Sequence, residues 1–482
     1  MKITDYIWDN LNKAIVFSWL YISAGVLLQV TLRIGYQIGL FFSILPFLLF
    51  AFIFLLEKPY FSFLLLFVAN YFISGGTRYI SYPPGIAMDV LFLVALVVLV
   101  LQSYKLGTSF PIKGAANPLT AISFLWLLYC TFQILNPDSS SIFAWLVNVR
   151  GIGIYFFLVV LLSTVYLRKY RNLRQVMNIL SVLCIIAVSK AIIQKVFGFD
   201  SFEQTWLAEG GSRTHIIHTG IRYFSIFTDA GNFGSGIALS GVLFSISAFS
   251  QKNTAYRNYY LFVSTLCFYG MIISGTRGSL IIPFGGFFLY AILSKNIRAI
   301  IVTFIVVVSG FWFLNFTYIG HGNIYVRRMR SAFNPDDESL GVRLENQRIL
   351  RTYMQGKPFG VGIGMKRGNA VLYQPHPILS TIPHDSWYVL LWVELGLVGM
   401  VLYILMLLYV LFHGSYLVMF VLKDKELRGY VSAMVCALFG VSAAAYSLEI
   451  FGQFPNSVII YVLMSLIFLS PLYDEELSTK SV

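Results

Sequence analysis

The chain has 482 residues, of which 58% are hydrophobic and 11% are charged. A soluble globular protein has about 25% charged residues, so this composition excludes a water-soluble fold and predicts a protein of the lipid bilayer. The formal net charge is +13, and much of it lies in short connections between apolar runs. Basic residues in such connections set membrane topology, so we predict no nucleic-acid partner.

Apolar runs follow one another along the whole chain. A transmembrane helix needs roughly 20 such residues, and hydropathy predicts about 14 spans. The predicted spans are 14–32, 36–56, 60–75, 85–103, 118–135, 144–166, 173–197, 223–249, 257–275, 277–294, 298–318, 385–421, 429–447 and 456–472. We therefore expect one all-α polytopic membrane domain over residues 1–482, with about 12–14 transmembrane helices.

Two polar intervals are long enough to form loops of their own, one after the span 173–197 and one at 319–383. The short connections on one side of the predicted bundle are almost all basic, which places both termini in the cytoplasm and both long loops outside. Residues 336–357 within the second loop begin with acidic residues and end at Gly356 and Pro358, a pattern that predicts a helix. We expect an extracytoplasmic loop that carries short helices before the helix of His384.

Membrane topology does not explain the basic residues of the outer loops. Arg222 stands in GIRYFSIFTDAGNFG, where Asp229 follows it, and Arg277 stands in the tight turn ISGTRGSL. Arg343 and Arg348 lie in the predicted loop helix. Arginine binds phosphate through a bidentate fork, so these residues are candidates for holding an anionic substrate. The alternative for Arg222 is an interfacial side chain, and for Arg277 a pairing with a nearby carboxylate. Asp229 is a candidate for binding the acceptor, with a polar contact between helices as the alternative.

His384 and Asp385 stand at the mouth of the apolar run 385–421. An imidazole at this place can take a proton from an acceptor hydroxyl as a general base. The alternative is a polar residue at the membrane interface. Asp385 is a candidate for orienting the imidazole, or for capping the following helix.

Three further polar residues lie in or beside apolar runs. Lys190 falls inside the span 173–197, and an intramembrane lysine is costly and usually functional. Arg150 follows Asn148 at the entry of the span 144–166, and Glu394 precedes Gly396 in ELGLVG. We regard all three as candidate substrate-binding residues, with a structural role across helices as the alternative for Glu394.

The sequence gives little support for a metal site or for a phosphate-binding loop. The four cysteines are dispersed over separate apolar runs, and the histidines show none of the usual zinc spacings, with His215 and His218 as a weak exception. The glycines of PFGVGIG lack the strand and the lysine–serine pair of a phosphate-binding loop, so a turn that returns the loop to the membrane is favoured. We predict no metal and no cofactor.

The arrangement of these motifs resembles a known family. The order R-x(4)-R, PFGVGIG and HDSWY-x(5)-ELGLVG, with the segments around Arg222 and Arg277, is similar to the signature region of the O-antigen ligase and O-antigen polymerase superfamily. The likeness covers roughly residues 145–415. The family usually has Asn after the histidine, where this chain has Asp385.

The resemblance implies a GT-C-like membrane glycosyltransferase of the bacterial inner membrane whose site faces outward. His384 would then act as the catalytic base and Arg222 and Arg277 would hold the diphosphate of an undecaprenyl-diphosphate-linked glycan, without a metal. The acceptor would be another glycan, a lipid A core or a protein, according to whether the enzyme is a polymerase or a ligase. The rival from another class is a transporter or flippase of lipid-linked oligosaccharides, which predicts internal repeats and polar residues at the bilayer midplane.

Overall fold

The computed structural model of the protein describes residues 22, 25, 36–80, 82–105, 115–139, 141–217, 220–295, 297–333, 338–365, 376, 378–379, 381–384 and 386–480. Over these residues the chain is an all-α polytopic membrane protein, as predicted, and the β structure described there is one short hairpin. The hairpin pairs β1 (Ile216–Ile217) with β2 (Gly220–Ile221) in antiparallel register.

The helices differ widely in length, and the shortest lie in the two polar intervals. In chain order they are α1 (Tyr36–Glu57), α2 (Tyr60–Gly76), α3 (Pro84–Lys105), α4 (Pro118–Phe132), α5 (Ile142–Val149), α6 (Tyr155–Tyr166), α7 (Tyr170–Phe197), α8 (Ser201–Trp206), α9 (Ser212–His215), α10 (Ala230–Ser250), α11 (Thr254–Ile273), α12 (Ile281–Leu293), α13 (Ile297–Phe316), α14 (Ile324–Arg330), α15 (Glu338–Tyr353), α16 (Trp387–Tyr416), α17 (Lys425–Ala444) and α18 (Asn456–Lys480).

Among the described residues, eight helices are long and apolar enough to cross a membrane, judged by length and composition. They are α3, α4, the continuous α5–α6 pair, α7, α10, α16, α17 and α18. Four shorter apolar helices cover Pro46–Glu57, Tyr60–Gly76, Arg277–Leu293 and Thr303–Phe316. Most of the first predicted span, 14–32, lies outside the described residues.

The chain divides into two units. The first comprises 1–66 and 88–112, and its helices expose many large apolar side chains, as helices facing lipid do. The second comprises 67–87 and 113–482 and holds every candidate site residue. All contacts described below lie within this second unit.

Helix α10 is the buried centre of the second unit. Its sequence, AGNFGSGIALSGVLFSISAFS, is rich in Gly, Ala and Ser, and these small residues let α11, α12 and α17 pack closely around it. Asp229 caps its first turn, where the carboxylate accepts hydrogen bonds from the backbone N–H groups of Gly231 (2.7 Å) and Asn232 (2.9 Å). The loop that carries Arg222 therefore ends on a fixed helix.

Helix α16 is broken at Gly396, which has φ +73°. The glycine-rich segment 358–364 docks into the break: the Val361 N–H donates to the Val393 carbonyl (2.9 Å), and the Val398 N–H donates to the Pro358 carbonyl (3.2 Å). A Cβ on Gly396 would lie 2.1 Å from the Pro358 oxygen, so only glycine allows this approach. The segment is a turn that fastens the long loop to α16, as predicted.

The long loop contains short helices, also as predicted. Helix α14 is followed by a 3₁₀ turn (Ser331–Phe333) and by α15, which is observed at Glu338–Tyr353 where the sequence predicts a helix over 336–357. A buried cluster joins the end of α15 to the loop and to α16, and its members are Leu350, Met354, Val361, Met365, Leu379, Ile382 and Val393. Apolar burial therefore fixes the position of α15 beside the start of α16.

Candidate active site

The short turn between α11 and α12 gathers arginines from three parts of the chain. Gly275 in this turn has φ +60°, and a Cβ there would lie 3.2 Å from the Arg328 side chain and 3.4 Å from Cγ of Arg222. The bare glycine therefore lets both arginine side chains pack against the turn. Arg277 itself follows two residues later.

Hydrogen bonds hold the guanidinium groups in place around this turn. Arg222 donates from Nη2 to the Thr276 hydroxyl and from Nη1 to the Thr214 carbonyl, each at 3.0 Å. Arg277 donates from Nη1 to Oγ of Ser331 (3.1 Å), and Arg328 donates from Nε to the carbonyl of the turn glycine. The turn thus binds the side chains of Arg222 and Arg328, while Ser331 of the 3₁₀ turn after α14 binds Arg277.

The pKa of Arg222 reflects the electrostatic cost of bringing these arginines together. Burial lowers its pKa, the nearby Asp229 carboxylate opposes that shift, and the positive charge of Arg277 adds to it. An arginine stays protonated across the physiological range in spite of such shifts. The site therefore keeps like charges close together, which an anionic ligand would relieve.

These side chains border a cavity of about 930 Å³. Arg222, Arg277, Arg328 and Arg343 all line it, and among the described residues that line it none is acidic. Much of the remaining wall is apolar and comes from α12 and α13 and the turn after α14, for example Phe288, Val308, Phe311 and Phe333. The lining is therefore amphipathic, with four arginines among largely apolar side chains.

His384 is buried, with 4% of its surface exposed, and is not among the residues that line this cavity. Pro383 and Ser386, next to it in the chain, do line the cavity. The start of α16 is tied to the end of α17, because the Trp387 N–H and the Ser386 hydroxyl both donate to the Ala445 carbonyl, at 3.0 and 3.3 Å. Asp385, predicted to orient or cap, lies outside the described residues.

Two of the predicted substrate-binding residues lie in ion pairs outside the cavity lining. Lys190 Nζ is 2.9 Å from the Asp200 carboxylate and 3.0 Å from the Glu203 carboxylate. The Arg348 side chain is 83% exposed and faces Glu345 at 4.0 Å. Their roles in substrate binding stay predictions.

Arg150, Asp229 and Glu394 are also absent from the residues that line the cavity. Arg150 begins a π-helical segment, and its Nε donates to the Val147 carbonyl at 3.2 Å. Glu394 is fully buried in α16, and its backbone carbonyl accepts the Gly362 N–H at 3.0 Å. Their substrate-binding roles likewise remain predictions.

Sequence reasoning missed Arg78, which supports the loop after β2. Its guanidinium lies over two rings that contact each other edge to face, 4.6 Å from the centroid of Trp206 and 4.2 Å from that of Phe224. It donates to the Ser225 (2.9 Å) and Thr228 (3.1 Å) carbonyls. Burial lowers the pKa of Arg78 to about 10. In sequence it is one more basic residue in a loop, so no local signal marks its role.

His215 also supports this loop. Its Nδ1–H donates to the Gly211 carbonyl (2.8 Å), and its Nε2 accepts from the Ala230 N–H (3.1 Å), so the ring is neutral. Burial lowers its pKa, which favours this neutral form. Both ring nitrogens are used in hydrogen bonds, and no group of three metal-ligating side chains occurs among the described residues. His218 lies outside them.

A family model described as O-antigen ligase matches residues 262–404, a range that contains Arg277, Arg328, Arg343 and His384. An O-antigen polymerase of Salmonella muenchen is 23% identical over 343 residues, which cover 68% of this chain and 82% of that protein. Both matches support a relationship to the O-antigen ligase and O-antigen polymerase superfamily. No solved structure matches the chain.

These matches confirm the resemblance read from the motifs. They indicate a membrane enzyme of the glycosyltransferase type and, with the apolar helices, a multi-pass bacterial membrane protein. The range matched by the family model holds three of the four arginines at the cavity, while Arg222 lies before it.

Proposed function

We propose that this protein transfers a glycan from an undecaprenyl-diphosphate carrier to an acceptor hydroxyl. The observation that carries the proposal is the convergence of Arg222, Arg277, Arg328 and Arg343 on one cavity whose described lining has no carboxylate. A diphosphate supplies the negative charge that this set lacks, and arginine binds phosphate oxygens with two parallel hydrogen bonds. The apolar wall beside the arginines suits the lipid end of such a carrier.

In the proposed reaction the acceptor oxygen attacks the anomeric carbon of the donor sugar. The bond from that carbon to the diphosphate oxygen breaks, and its electron pair leaves with undecaprenyl diphosphate. His384 takes the proton of the acceptor hydroxyl, and the configuration at the anomeric carbon is inverted. The arginines stabilise the charge that develops on the leaving diphosphate, which is commonly the largest single catalytic contribution. No metal ion takes part in this proposal.

The site is proposed to face the outside of the bacterial inner membrane, with both chain termini in the cytoplasm. The support is the distribution of Lys and Arg, because the short basic connections belong on the cytoplasmic side. The loop 319–383, which supplies Arg328 and Arg343 to the cavity, then lies outside. An outward site also suits an acceptor that is assembled beyond the membrane.

Polymerisation is the form of the reaction that we favour. The Salmonella relative that covers most of this chain is described as an O-antigen polymerase. On this proposal the growing glycan is transferred to a second lipid-linked unit. Ligation to a lipid A core or to a protein uses the same donor chemistry, so product analysis separates these acceptors.

The test is transfer by the purified protein in detergent or liposomes, with a lipid-diphosphate-linked glycan, candidate acceptors and EDTA. We expect His384→Ala to lower the rate by about 10²–10⁴-fold and Arg277→Ala by about 10²–10³-fold. Lys252→Ala is the matched control, because Lys252 is a basic residue with a 68% exposed side chain that pairs with Asp424 and does not line the cavity. It should keep the wild-type rate.

If EDTA abolishes glycan transfer by the wild-type protein, the metal-independent mechanism is wrong. Full activity of folded His384→Ala would exclude this histidine as the base. If the folded wild type transfers no glycan but moves the lipid-linked glycan across proteoliposomes, the protein is a transporter and the proposal is wrong.

A further inference from the structure

One face of α15 carries uncharged polar groups into the same cavity. Arg343, Asn346, Gln347 and Leu350 recur at helical spacing and all line it. Asn346 and Gln347 are half-buried, and neither side chain has a hydrogen-bond partner among the described residues. Because each amide offers both a donor and an acceptor, both can bind a ligand group that is itself donor and acceptor.

Sugar hydroxyls have this dual character, whereas phosphate oxygens only accept. Two neutral amides add little to the binding of a diphosphate in a cavity that four arginines line. They match an uncharged sugar ring better, since Asn and Gln can pair with a hydroxyl as donor and as acceptor together. Tyr446 lines the same cavity and leaves 56% of its surface exposed, so its ring can pack against the C–H face of a sugar.

The spacing along α15 matches the covalent structure of the proposed donor. Side chains three and four residues apart on a helix are about 5–6 Å apart at Cβ, which is close to the width of one sugar ring. In a lipid-diphosphate-linked glycan the first sugar is bonded directly to the diphosphate. A phosphate held at Arg343 therefore places that first ring beside Asn346 and Gln347.

We infer that Asn346, Gln347 and Tyr446 form a subsite for the uncharged sugar that is attached to the diphosphate of the donor. The inference rests on the proposed function, because it takes the diphosphate to lie at the arginines. It divides the cavity into a part that binds any carrier diphosphate and a part that selects the sugar. Specificity for the sugar then resides on α15 and at the end of α17.

The test compares two ligands in equilibrium binding to the full-length protein in nanodiscs. One is undecaprenyl diphosphate without sugar, and the other is the same lipid with the organism's own repeat unit, isolated from cells that lack this protein. We expect Asn346→Ala and Gln347→Ala each to weaken binding of the glycosylated lipid by about 3- to 10-fold, the usual effect of one hydrogen bond. Binding of the sugar-free lipid should not change, which also shows that the variants are folded.

Glu345→Ala is the matched control. Glu345 precedes the two amides on α15, its side chain is 61% exposed, and it does not line the cavity. Its substitution should leave both affinities unchanged. Arg277→Ala should weaken both ligands alike, because both carry the diphosphate.

The outcomes separate this inference from the proposed function. If wild type binds neither ligand, the proposed function fails. If wild type binds both, and the amide variants weaken both equally or neither, the sugar subsite is wrong while the diphosphate site stands. If donor binding is unchanged but the KM for an acceptor glycan rises, the amides bind the acceptor and the assignment to the donor is overturned.

Discussion

Replacing Gly396 with alanine tests how the long loop is fastened to the membrane helices. Gly396 has φ +73°, and a Cβ there would meet the Pro358 oxygen at 2.1 Å and the Gly360 nitrogen at 2.3 Å. These are backbone atoms and cannot move aside as a side-chain tip does. The expected result is that the turn leaves the break in α16.

The expected loss can be worked from the contacts. A non-glycine residue in the left-handed region costs about 1–2 kcal/mol. Undocking also removes three backbone hydrogen bonds between the turn and α16, of 2.9, 3.0 and 3.2 Å. Each contributes about 1 kcal/mol, so Gly396→Ala should destabilise the protein by about 4–5 kcal/mol. Gly356 has φ +78° with no atom within 4 Å of a built Cβ, so Gly356→Ala should cost only the backbone strain, about 1–2 kcal/mol.

The assay is thermal unfolding of both variants in the same detergent, with limited proteolysis of the loop 319–383. Gly396→Ala should show the much lower midpoint and faster cleavage in the loop. It should also raise the KM for the lipid-linked donor, since the loop supplies Arg343 to the cavity. Equal midpoints and equal cleavage for the two variants would refute the reasoning, because strain alone would then explain both.

Three further predictions concern the groups that support the site. Arg78→Lys keeps the charge but loses the planar guanidinium that lies over two rings, and should lower the free energy of unfolding by about 2–3 kcal/mol. Unchanged unfolding would contradict that role. His215 has a lowered pKa in the folded protein. Its contribution to stability is therefore complete above the pKa of histidine in the unfolded chain, about 6.5, and is lost as the pH falls below that value. The melting midpoint of His215→Gln should therefore fall less than that of wild type between about pH 7.5 and 5.5. Lys190→Met should destabilise the protein by about 2–3 kcal/mol. Adding Glu203→Gln to that variant should recover part of the lost stability. If the effects of the two substitutions are additive, the pair is not coupled.

The membrane class and the helical loop follow directly from the sequence. Composition alone requires a bilayer, and the capping pattern of 336–357 predicts α15 to within a few residues of its observed limits. Arg222, Arg277 and Arg343 were predicted as site residues from their motifs, and the structure brings these three together at one cavity. The roles of the three arginines in substrate binding and catalysis stay predictions.

Other parts of the site depend on long-range packing that local patterns do not contain. Arg328 reaches the cavity through the carbonyl of Gly275, which is 53 residues away in sequence. Outside the cavity, an intramembrane lysine predicts function, yet Lys190 pairs with Asp200 and Glu203, which follow it by 10 and 13 residues beyond the end of α7. Sequence reasoning counts the charges but does not show which of them meet.

The cavity is assembled from segments of two different kinds. Arg277 belongs to a tight turn between packed helices, whereas Asn346 and Gln347 belong to a helix in a loop held by a buried cluster and a glycine-rich turn. Asn346 and Gln347 are half-buried and lie outside the buried cluster that joins α15 to α16, whereas Leu350 on the same face belongs to it. Substitutions at the two amides can therefore alter the lining of the cavity without removing the apolar contacts that hold α15 in place.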